Sequence, residues 1–243
     1  MTRTRLGLAA TLAAGALLIS GSPAGGAPRT TPLKGSVRIS FAGEGRQVLS
    51  DYKQWIFQAD QECYYDRDVH QVATFRWTTS FPALGLARLA KPSGRSLTGA
   101  ETAAEGSASG PEVRGDCGSD DVPPGWVETI TCAQSLQFSG PGSLEVVRGK
   151  PGKAVLVLHA PAPSLQSPTL CSLVPRGQDV VGSVKFDLGK LSKLPSGKST
   201  TAKVAAASRV NCSTHPAPYE GTQITDDCHD TLTWHATVTI VKS

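Results

Sequence analysis

The sequence lacks a dense run of basic residues. Its 243 residues include 24 Lys and Arg against 20 Asp and Glu, so the formal net charge is +4, and the basic positions are scattered along the chain. A nucleic-acid-binding protein usually shows a basic stripe on one face or along one helix. The composition therefore argues against a nucleic-acid partner.

Motifs that mark common catalytic and metal sites are also missing. No two cysteines are spaced as C-x-x-C, and neither G-x-S-x-G nor H-E-x-x-H occurs. Zinc knuckles, thioredoxin-like redox sites, hydrolases with a nucleophile elbow and zinc proteases use these spacings. The sequence therefore predicts no cofactor, no metal ion and no identifiable catalytic residue. A hydrolase whose site is assembled from residues far apart in the sequence stays open.

One cluster of potential metal ligands needs separate consideration. The stretch "TDDCHD" spans residues 225–230. In a single turn, its acids and His229 would converge as cation ligands do. A solvated turn beside a disulfide is the simpler interpretation, and we expect no metal there.

Long hydrophobic runs are absent after residue 19. The apolar run at residues 6–19 has 14 residues, whereas a transmembrane helix needs roughly 20. Two arginines precede this run, and mostly small residues follow it as far as Ala27. This three-part layout is typical of a secretory signal peptide. We therefore assign residues 1–27 to a signal peptide and expect cleavage after Ala27 or, alternatively, after Ala24, which leaves a secreted or cell-envelope protein without a transmembrane span.

All six cysteines lie in the 216 residues that follow, where the net charge is +2 once Arg3 and Arg5 are removed. An even number of cysteines in an exported chain indicates a disulfide framework. Closure of short loops predicts the pairs Cys117–Cys132 and Cys212–Cys228, which leaves Cys63 to pair with Cys171. Each of the first two bridges would close a loop of about 15 residues, which is worth roughly 3 kcal/mol.

Apolar residues recur with a period of two, which is the period of a β-strand. The stretches that begin at Gly35, Val69 and Thr231, "GSVRISF", "VHQVATFRWTTSF" and "TLTWHATVTI", alternate in this way, and Gln71 interrupts the second. "KAVLVLHA" is apolar on both faces and is typical of a central strand. A short helical turn is expected only around residues 83–90. Frequent Gly and Pro between the strands favour an all-β, antiparallel, β-sandwich-like fold.

Two organisations of these strands are open, namely one large domain or two related β lobes. "GSVRISF" at Gly35 resembles "GSVKFDL" at Gly182, which favours lobes at residues 28–138 and 139–243. Residues 91–115 are rich in Gly, Ser, Ala and Glu and contain no aromatic residue. Such a segment buries too little apolar surface to offset its ordering entropy, so we expect a long mobile loop within the first lobe.

The stretch "QWIFQADQECYYDRD", residues 54–68, combines aromatic residues and acids around Cys63. Interpreted as one strand, it places most of its aromatic residues and Cys63 on the face toward the core. Tyr64, flanked by Glu62 and Asp66, lies on the opposite face. These three residues are therefore the candidate contact surface for a partner.

Together these features favour a non-catalytic binding or structural protein of the cell envelope or extracellular space, whose partner is a protein or a glycan. A secreted hydrolase is one alternative, and it needs two or more titratable side chains that converge in a pocket. A secreted protease inhibitor is another. In that case Pro123 and Pro124 would stiffen a loop closed by Cys117 and Cys132, which would present a rigid peptide to the protease.

Overall fold

The structure is a computed structural model, and it describes eight stretches of the chain: residues 33–56, 64–91, 96–116, 126–139, 142–165, 170–176, 180–212 and 222–243. The chain divides into two units, residues 1–31 and 32–243, and every described residue belongs to the second. The strands within these stretches are β1 Ser36–Ile56, β2 Tyr64–Ser80, β3 Leu84–Gly85, β4 Ser96–Thr98, β5 Glu101–Asp116, β6 Trp126–Ser139, β7 Ser143–Arg148, β8 Lys153–His159, β9 Ala162–Leu165, β10 Val181–Asp187, β11 Ser199–Asn211 and β12 Thr222–Lys242. The helices there are α1 Leu86–Ala90 and α2 Leu188–Lys193.

The strands form two antiparallel sheets, as the period-two pattern predicts. The larger sheet has the order β11-β12-β1-β2-β5-β6-β9, with β3 paired to the start of β1, and the smaller sheet has the order β10-β8-β7-β4. The stretch predicted to be a central strand is β8, which lies between β10 and β7. The all-β, antiparallel fold with two sheets is therefore confirmed.

One face of the larger sheet packs against the smaller sheet and forms the core. On β1, Val37, Ile39 and Phe41 are buried, while the residues between them are more exposed. On the neighbouring strands, Trp77 and Trp234 meet edge to face, with ring centroids 5.8 Å apart. We call this buried side of the larger sheet the inner face, and the opposite side the outer face.

Glycines in β1 allow the aromatic side chains of β2 to pack directly on its backbone. Gly43 pairs with Trp77, and Gly45 pairs with Phe75. A Cβ atom added at either glycine would overlap the ring of its partner. A larger residue at these positions would therefore displace the aromatic rings from the core.

The two helices are short. α1 lies within the predicted helical turn at residues 83–90 and buries Leu86 and Leu89. The Asp187 carboxylate accepts a hydrogen bond from the Lys190 backbone N–H at 2.9 Å and so caps the start of α2. No helix in the described part of the chain is long and apolar enough to cross a membrane.

The prediction of a mobile loop at residues 91–115 is wrong for most of that range. Residues 101–116 form β5, which pairs with β2 on one side and with β6 on the other. Small side chains suit this position, because a Cβ atom on Gly106 would come within 2.8 Å of the Phe75 Cβ atom. The neighbouring strands supply the buried apolar surface that the segment itself lacks. Residues 92–95 lie outside the described residues.

Strands from both predicted lobes lie side by side in the larger sheet. β12, from the second predicted lobe, pairs with β1 from Val37 to Ile56. Residues 32–243 form one compact unit. This arrangement corresponds to the alternative of one large domain.

Two disulfides join described residues, and one of them is the pair predicted from loop length. The Cys212–Cys228 bridge is confirmed. Cys132 bonds instead to Cys171, with their Cα atoms 4.8 Å apart. The predicted pairs Cys117–Cys132 and Cys63–Cys171 are therefore wrong.

The register of β6 explains why the Cys117–Cys132 pair, which was predicted from loop length, does not form. Trp126 pairs with Asp116, which directly precedes Cys117, and Cys132 lies six residues farther along β6, roughly 20 Å away. A disulfide joins Cα atoms that are at most about 7 Å apart. Cys117 itself lies outside the described residues, as does Cys63.

The stretch at residues 54–68 is not one strand. β1 ends at Ile56 and β2 begins at Tyr64, and these two residues pair with each other in an antiparallel register. The chain thus reverses direction between them, which resets the faces assigned from a single continuous strand. Residues 57–63, which include Glu62 and Cys63, lie outside the described residues.

Candidate functional site

The outer face of the larger sheet carries a furrow between β12 and β5, with β1 and β2 as its floor. Its largest section has a volume of about 940 Å³, and adjoining sections of about 510 and 350 Å³ extend it along the same strands. The antiparallel register places the side chains in rows that cross the strands. Each row therefore presents its own set of chemical groups to a ligand.

A charged row crosses the middle of the furrow. It consists of His235, Glu44, Arg76 and Glu105, which are successive partners in the register of β12, β1, β2 and β5. The His235 Nε2 and Glu44 Oε1 atoms are 2.9 Å apart, and the Arg76 Nε and Glu105 Oε1 atoms are 2.6 Å apart. These side chains are between 66% and 75% exposed. Each exposed ion pair contributes at most about 1 kcal/mol to the stability of the fold. We therefore consider the charged row as a ligand-binding feature rather than as a source of stability.

A hydroxyl row lies beside the charged row. In order across five strands, its members are Thr233, Arg46, Thr74, Ser107 and Ser135. The Arg46 guanidinium has no ion-pair partner among the described residues. The four hydroxyls offer hydrogen bonds to neutral groups, and the Arg46 guanidinium offers a salt bridge to an anionic group.

Small side chains line the furrow on the other side of the charged row. Thr237, Ala42, Thr78 and Ala103 form this third row. Pockets for small-molecule ligands are lined mostly by apolar and aromatic side chains. The three rows place charged, hydroxyl-bearing and small side chains on the outer face, and buried apolar residues such as Phe75 and Leu136 also border the furrow. The outward side chains of the rows suit an extended polar ligand.

Of the three contact residues predicted from the sequence, the structure describes one side chain. Asp66 is half-buried in β2, and its Oδ1 atom is buried without a hydrogen-bond partner in the described part of the chain. Burial, together with the negative charges of Asp66 and Asp68, raises the pKa of Tyr52. Tyr64 belongs to β2, but its side chain is not described, and Glu62 lies outside the described residues. None of the three lines the furrow, and their role as a contact surface stays a prediction.

The described histidines are dispersed over the molecule. His70 is exposed, His159 is half-buried, His229 lies on the outer face of β12 near its start, and His235 belongs to the charged row. His215 lies outside the described residues. No described histidine is hydrogen-bonded to a serine hydroxyl. The described stretches thus contain no Ser–His pair of the kind that a serine hydrolase uses.

The stretch at residues 225–230 forms part of β12 rather than a turn. Strand alternation places Asp227 and His229 on the outer face and Cys228 and Asp230 on the inner face. The potential cation ligands are thus divided between two faces. Within the stretches that the structure describes, no group of three metal-ligating side chains occurs.

The inner face also contains an ionic cluster, which the sequence did not predict. Asp51, Lys53, Arg67 and Glu112 form it, and their exposed fractions lie between 0% and 7%. Arg67 donates hydrogen bonds from Nε to Glu112 Oε1 and from Nη1 to Asp51 Oδ2, both at 2.9 Å. Lys53 Nζ lies 3.8 Å from Asp51 Oδ1. Charges with so little exposure are tolerated because each has an opposite charge beside it.

Hydrogen bonds set the protonation state of Glu112. Burial raises the pKa of this carboxyl, but hydrogen bonds from Arg67, Ser172 and Arg114 outweigh burial and lower the pKa to about 2. Glu112 is therefore ionised at neutral pH. A carboxylate held in this way acts as a structural acceptor rather than as a general acid.

The polar residues of the inner face hold a segment without regular secondary structure, residues 171–176, which we call the strap. Gln71 Oε1 accepts hydrogen bonds from two successive strap N–H groups, at 2.8 and 2.9 Å. Gln47 accepts one from a strap N–H and donates one to a strap C=O, both at 2.8 Å. The Cys132–Cys171 disulfide fixes the start of the strap. These contacts give the buried polar residues of the inner face a structural role, and they leave the furrow as the candidate binding site.

Comparisons with known proteins do not assign this chain to a family. No protein-family model matches the chain, and no curated protein matches it either. Among solved structures, the secretin InvG of the Salmonella SPI-1 type III secretion injectisome is 11% identical with a TM-score of 0.20, and the match covers 86% of this chain and 64% of that one. A second structure with InvG, of the injectisome basal body, has the same score and identity, with 46% of that chain covered. A Klebsiella pneumoniae type II secretion system complex with PulD is 9% identical, with a TM-score of 0.16 and coverage of 86% of this chain and 40% of that one. Similarity at these TM-scores carries no argument about fold or function.

Proposed function

We propose that this chain is an exported, non-catalytic protein that binds a polar ligand of the cell envelope or extracellular space in its outer-face furrow. The observation that carries the proposal is the furrow of about 940 Å³, which is lined by hydroxyls and by Arg46, a residue without an ion-pair partner in the described stretches. The signal-peptide pattern at residues 1–27 supports export. Two disulfides between described residues support an oxidising compartment.

Glycans fit the lining of the furrow better than apolar ligands do. A glycan presents many hydroxyls and amides along an extended chain, and the hydroxyl row offers both donors and acceptors to such groups. Arg46 adds a planar donor that pairs with a carboxylate, sulfate or phosphate substituent. A glycan with acidic groups is therefore the ligand class that the three rows favour.

Charge reversal at Arg46 tests this function. The purified protein and its Arg46→Glu variant would be titrated by calorimetry with acidic and neutral glycans of bacterial envelopes. Loss of a charge-assisted contact, followed by repulsion, should weaken binding of the acidic glycan about tenfold or more. Arg38→Glu is the matched control, because Arg38 is an exposed arginine of the same strand and does not line the furrow.

Two results would contradict the proposal. The first is the absence of binding to any acidic or neutral glycan tested. The second is equal weakening in the Arg46→Glu and Arg38→Glu variants, which would indicate non-specific attraction to the protein's charge rather than binding in the furrow.

A glycan hydrolase is the second candidate, because two carboxylates lie in the furrow, one on its floor in β1 and one at its side in β5. Glu44 and Glu105 lie two strands apart with Arg76 between them, roughly 10 Å from backbone to backbone. Inverting glycosidases hold their two carboxyl groups about 6.5–9.5 Å apart, a separation that side chains at this backbone spacing can reach. However, Glu44 is 66% and Glu105 is 70% exposed, and a general acid normally needs an apolar environment to stay protonated. Product release from the bound glycan that is abolished by Glu105→Gln would favour the hydrolase.

The protease-inhibitor alternative has lost its structural basis. It requires a loop closed by Cys117 and Cys132, whereas Cys132 is bonded to Cys171. Residues 117–125, which contain the two prolines of that loop, lie outside the described residues. We therefore do not propose this function.

A further inference from the structure

β11 is the terminal strand of the larger sheet, and it is hydrogen-bonded to β12 along one side. The bonds just beyond its two ends show which residues face β12. Cys212 N donates to Cys228 O at 3.0 Å, and Lys242 N donates to Lys198 O at 2.9 Å. In an antiparallel pair, residues with both groups toward the partner alternate with residues whose groups point away. Even-numbered residues of β11 therefore bond to β12, and odd-numbered residues direct their N–H and C=O groups toward the open edge.

This edge is long, and of the features that usually block strand pairing it has only charged side chains, both of them cations, which oppose a basic strand but not an acidic one. β11 extends over 13 residues and contains no proline, and the side chains of its odd-numbered residues are exposed. By contrast, β9 at the other end of the sheet has four residues and includes Pro163, and the end strands of the smaller sheet, β4 and β10, have three and seven. Natural sheets usually shorten such strands or insert proline to prevent addition of another chain.

The charges of β11 have one sign. Lys203 and Arg209 are the charged residues of the strand, and both side chains are exposed on the outer face. No carboxylate of a described residue pairs with either of them. Pairing with β11 of a second copy would bring four cations together without an anion, which disfavours self-association.

We propose that β11 binds an extended, acidic segment of another protein by strand addition. The outward backbone groups of the odd-numbered residues supply the hydrogen bonds, and carboxylates opposite Lys203 and Arg209 supply the charge pairs. The small side chains of Ala205 and Ala207, which lie between the two cations, leave room for the partner's side chains. This site is independent of the furrow and of its ligand.

A defined peptide tests the proposal. The probe is a short peptide of alternating Thr and Val that carries two Glu residues six positions apart, to match the spacing of Lys203 and Arg209. We expect saturable binding to the full protein, with slowed hydrogen exchange of the backbone amides of Lys203, Ala205 and Ala207. The same peptide with Lys in place of both Glu residues should bind about tenfold more weakly, because two cross-strand charge pairs are lost.

Proline substitution separates strand addition from simple charge attraction. Ala205→Pro removes one outward N–H and leaves the bonds to β12 intact, whereas Ala205→Val keeps that N–H. Binding that is lost in Ala205→Pro and kept in Ala205→Val would support the proposal. Equal binding by both variants, or by both peptides, would overturn it. Concentration-dependent dimers that Ala205→Pro abolishes would also overturn it, since the edge would then bind a second copy.

Discussion

The inner face of the larger sheet has two halves that are built from the same strands and hold opposite kinds of side chain. Toward the start of β1 and the end of β2, the inward residues are apolar, for example Phe41 and Trp77. Toward the end of β1 and the start of β2, they include Gln47, Asp51 and Arg67, which are no less buried. Burial alone therefore does not explain which type of residue occupies an inward position.

The element that covers each half explains the difference. The apolar half packs against the smaller sheet, whose strands bond to one another in their own ladders, so that the contacts across the core are mostly between apolar side chains. One backbone group that does take part is the Val180 C=O at the start of β10, which accepts a hydrogen bond from Trp234 Nε1 at 2.8 Å. The polar half is covered by the strap, whose backbone has no strand partner. Buried N–H and C=O groups need hydrogen-bond partners, and Gln47 and Gln71 supply them. The polar inward residues thus satisfy the backbone of the segment that lies on them.

Removal of the central cation of the polar half should have the largest effect. Arg67→Met leaves the carboxylates of Asp51 and Glu112 buried without their shared partner, and we expect the free energy of unfolding to fall by about 3–5 kcal/mol. Urea unfolding at neutral pH, followed by circular dichroism, measures this loss. Arg76→Met removes an ion-paired arginine from the outer face and should cost less than about 1 kcal/mol. Similar losses in the two variants would show that the buried cluster is no more important than a surface pair.

Acid should weaken the polar half by a comparable amount. The pKa of Glu112 is about 2 in the folded protein and 4.5 ordinarily. Because the folded pKa is the lower one, the contribution is fully present above pH 4.5 and is lost as the pH falls from there toward 2. The shift corresponds to about 3 kcal/mol. Urea unfolding over this pH range measures the effect. The free energy of unfolding of the Glu112→Gln variant should fall by about 3 kcal/mol less than that of the wild type. The control variant Glu105→Gln, on the outer face, should follow the wild type. Parallel pH profiles for the Glu112→Gln variant and the wild type would contradict the assignment.

Period-two alternation predicted the buried residues of the apolar half, because the alternation of apolar and polar residues can be seen within each single strand. Residues such as Val37, Ile39 and Phe41 alternate with polar neighbours, and that is sufficient to assign a buried face. The same alternation continues through Gln47, but a polar residue at an inward position looks like the end of a strand. Only the strap, which is more than 120 residues away in sequence, explains why the position is polar.

The candidate site depended even more on long-range structure. Each furrow row combines residues from β12, β1, β2 and β5, and β12 lies next to β1 although the two are at opposite ends of the described sequence. Register between such strands is not encoded in either strand alone. Long-range structure also explains why one disulfide was predicted correctly and the other was not. Cys212–Cys228 joins the end of β11 to the neighbouring strand β12, whereas Cys132–Cys171 joins β6 to the strap.

A matched pair of methionine substitutions gives the finest test of the two halves. Gln71→Met removes the acceptor of two strap N–H groups, and each buried N–H left unpaired costs roughly 1–3 kcal/mol. It also removes the Gln71 Nε2 group, which is buried without a hydrogen-bond partner among the described residues, so part of this cost is offset. We therefore expect a net loss of about 2 kcal/mol.

Leu158→Met is the corresponding change in the core, because Leu158 is a buried residue of β8 in the smaller sheet that packs on the apolar half, and a residue of similar volume should cost less than about 1.5 kcal/mol. Because these two losses are close, hydrogen exchange of the Ser172 and Leu173 amides is the decisive measurement. Both amides bond to Gln71 and should exchange much faster in Gln71→Met than in Leu158→Met. If they stay equally protected in both variants, the strap is held by the disulfide and the ionic cluster, and the glutamines are not needed to satisfy its backbone.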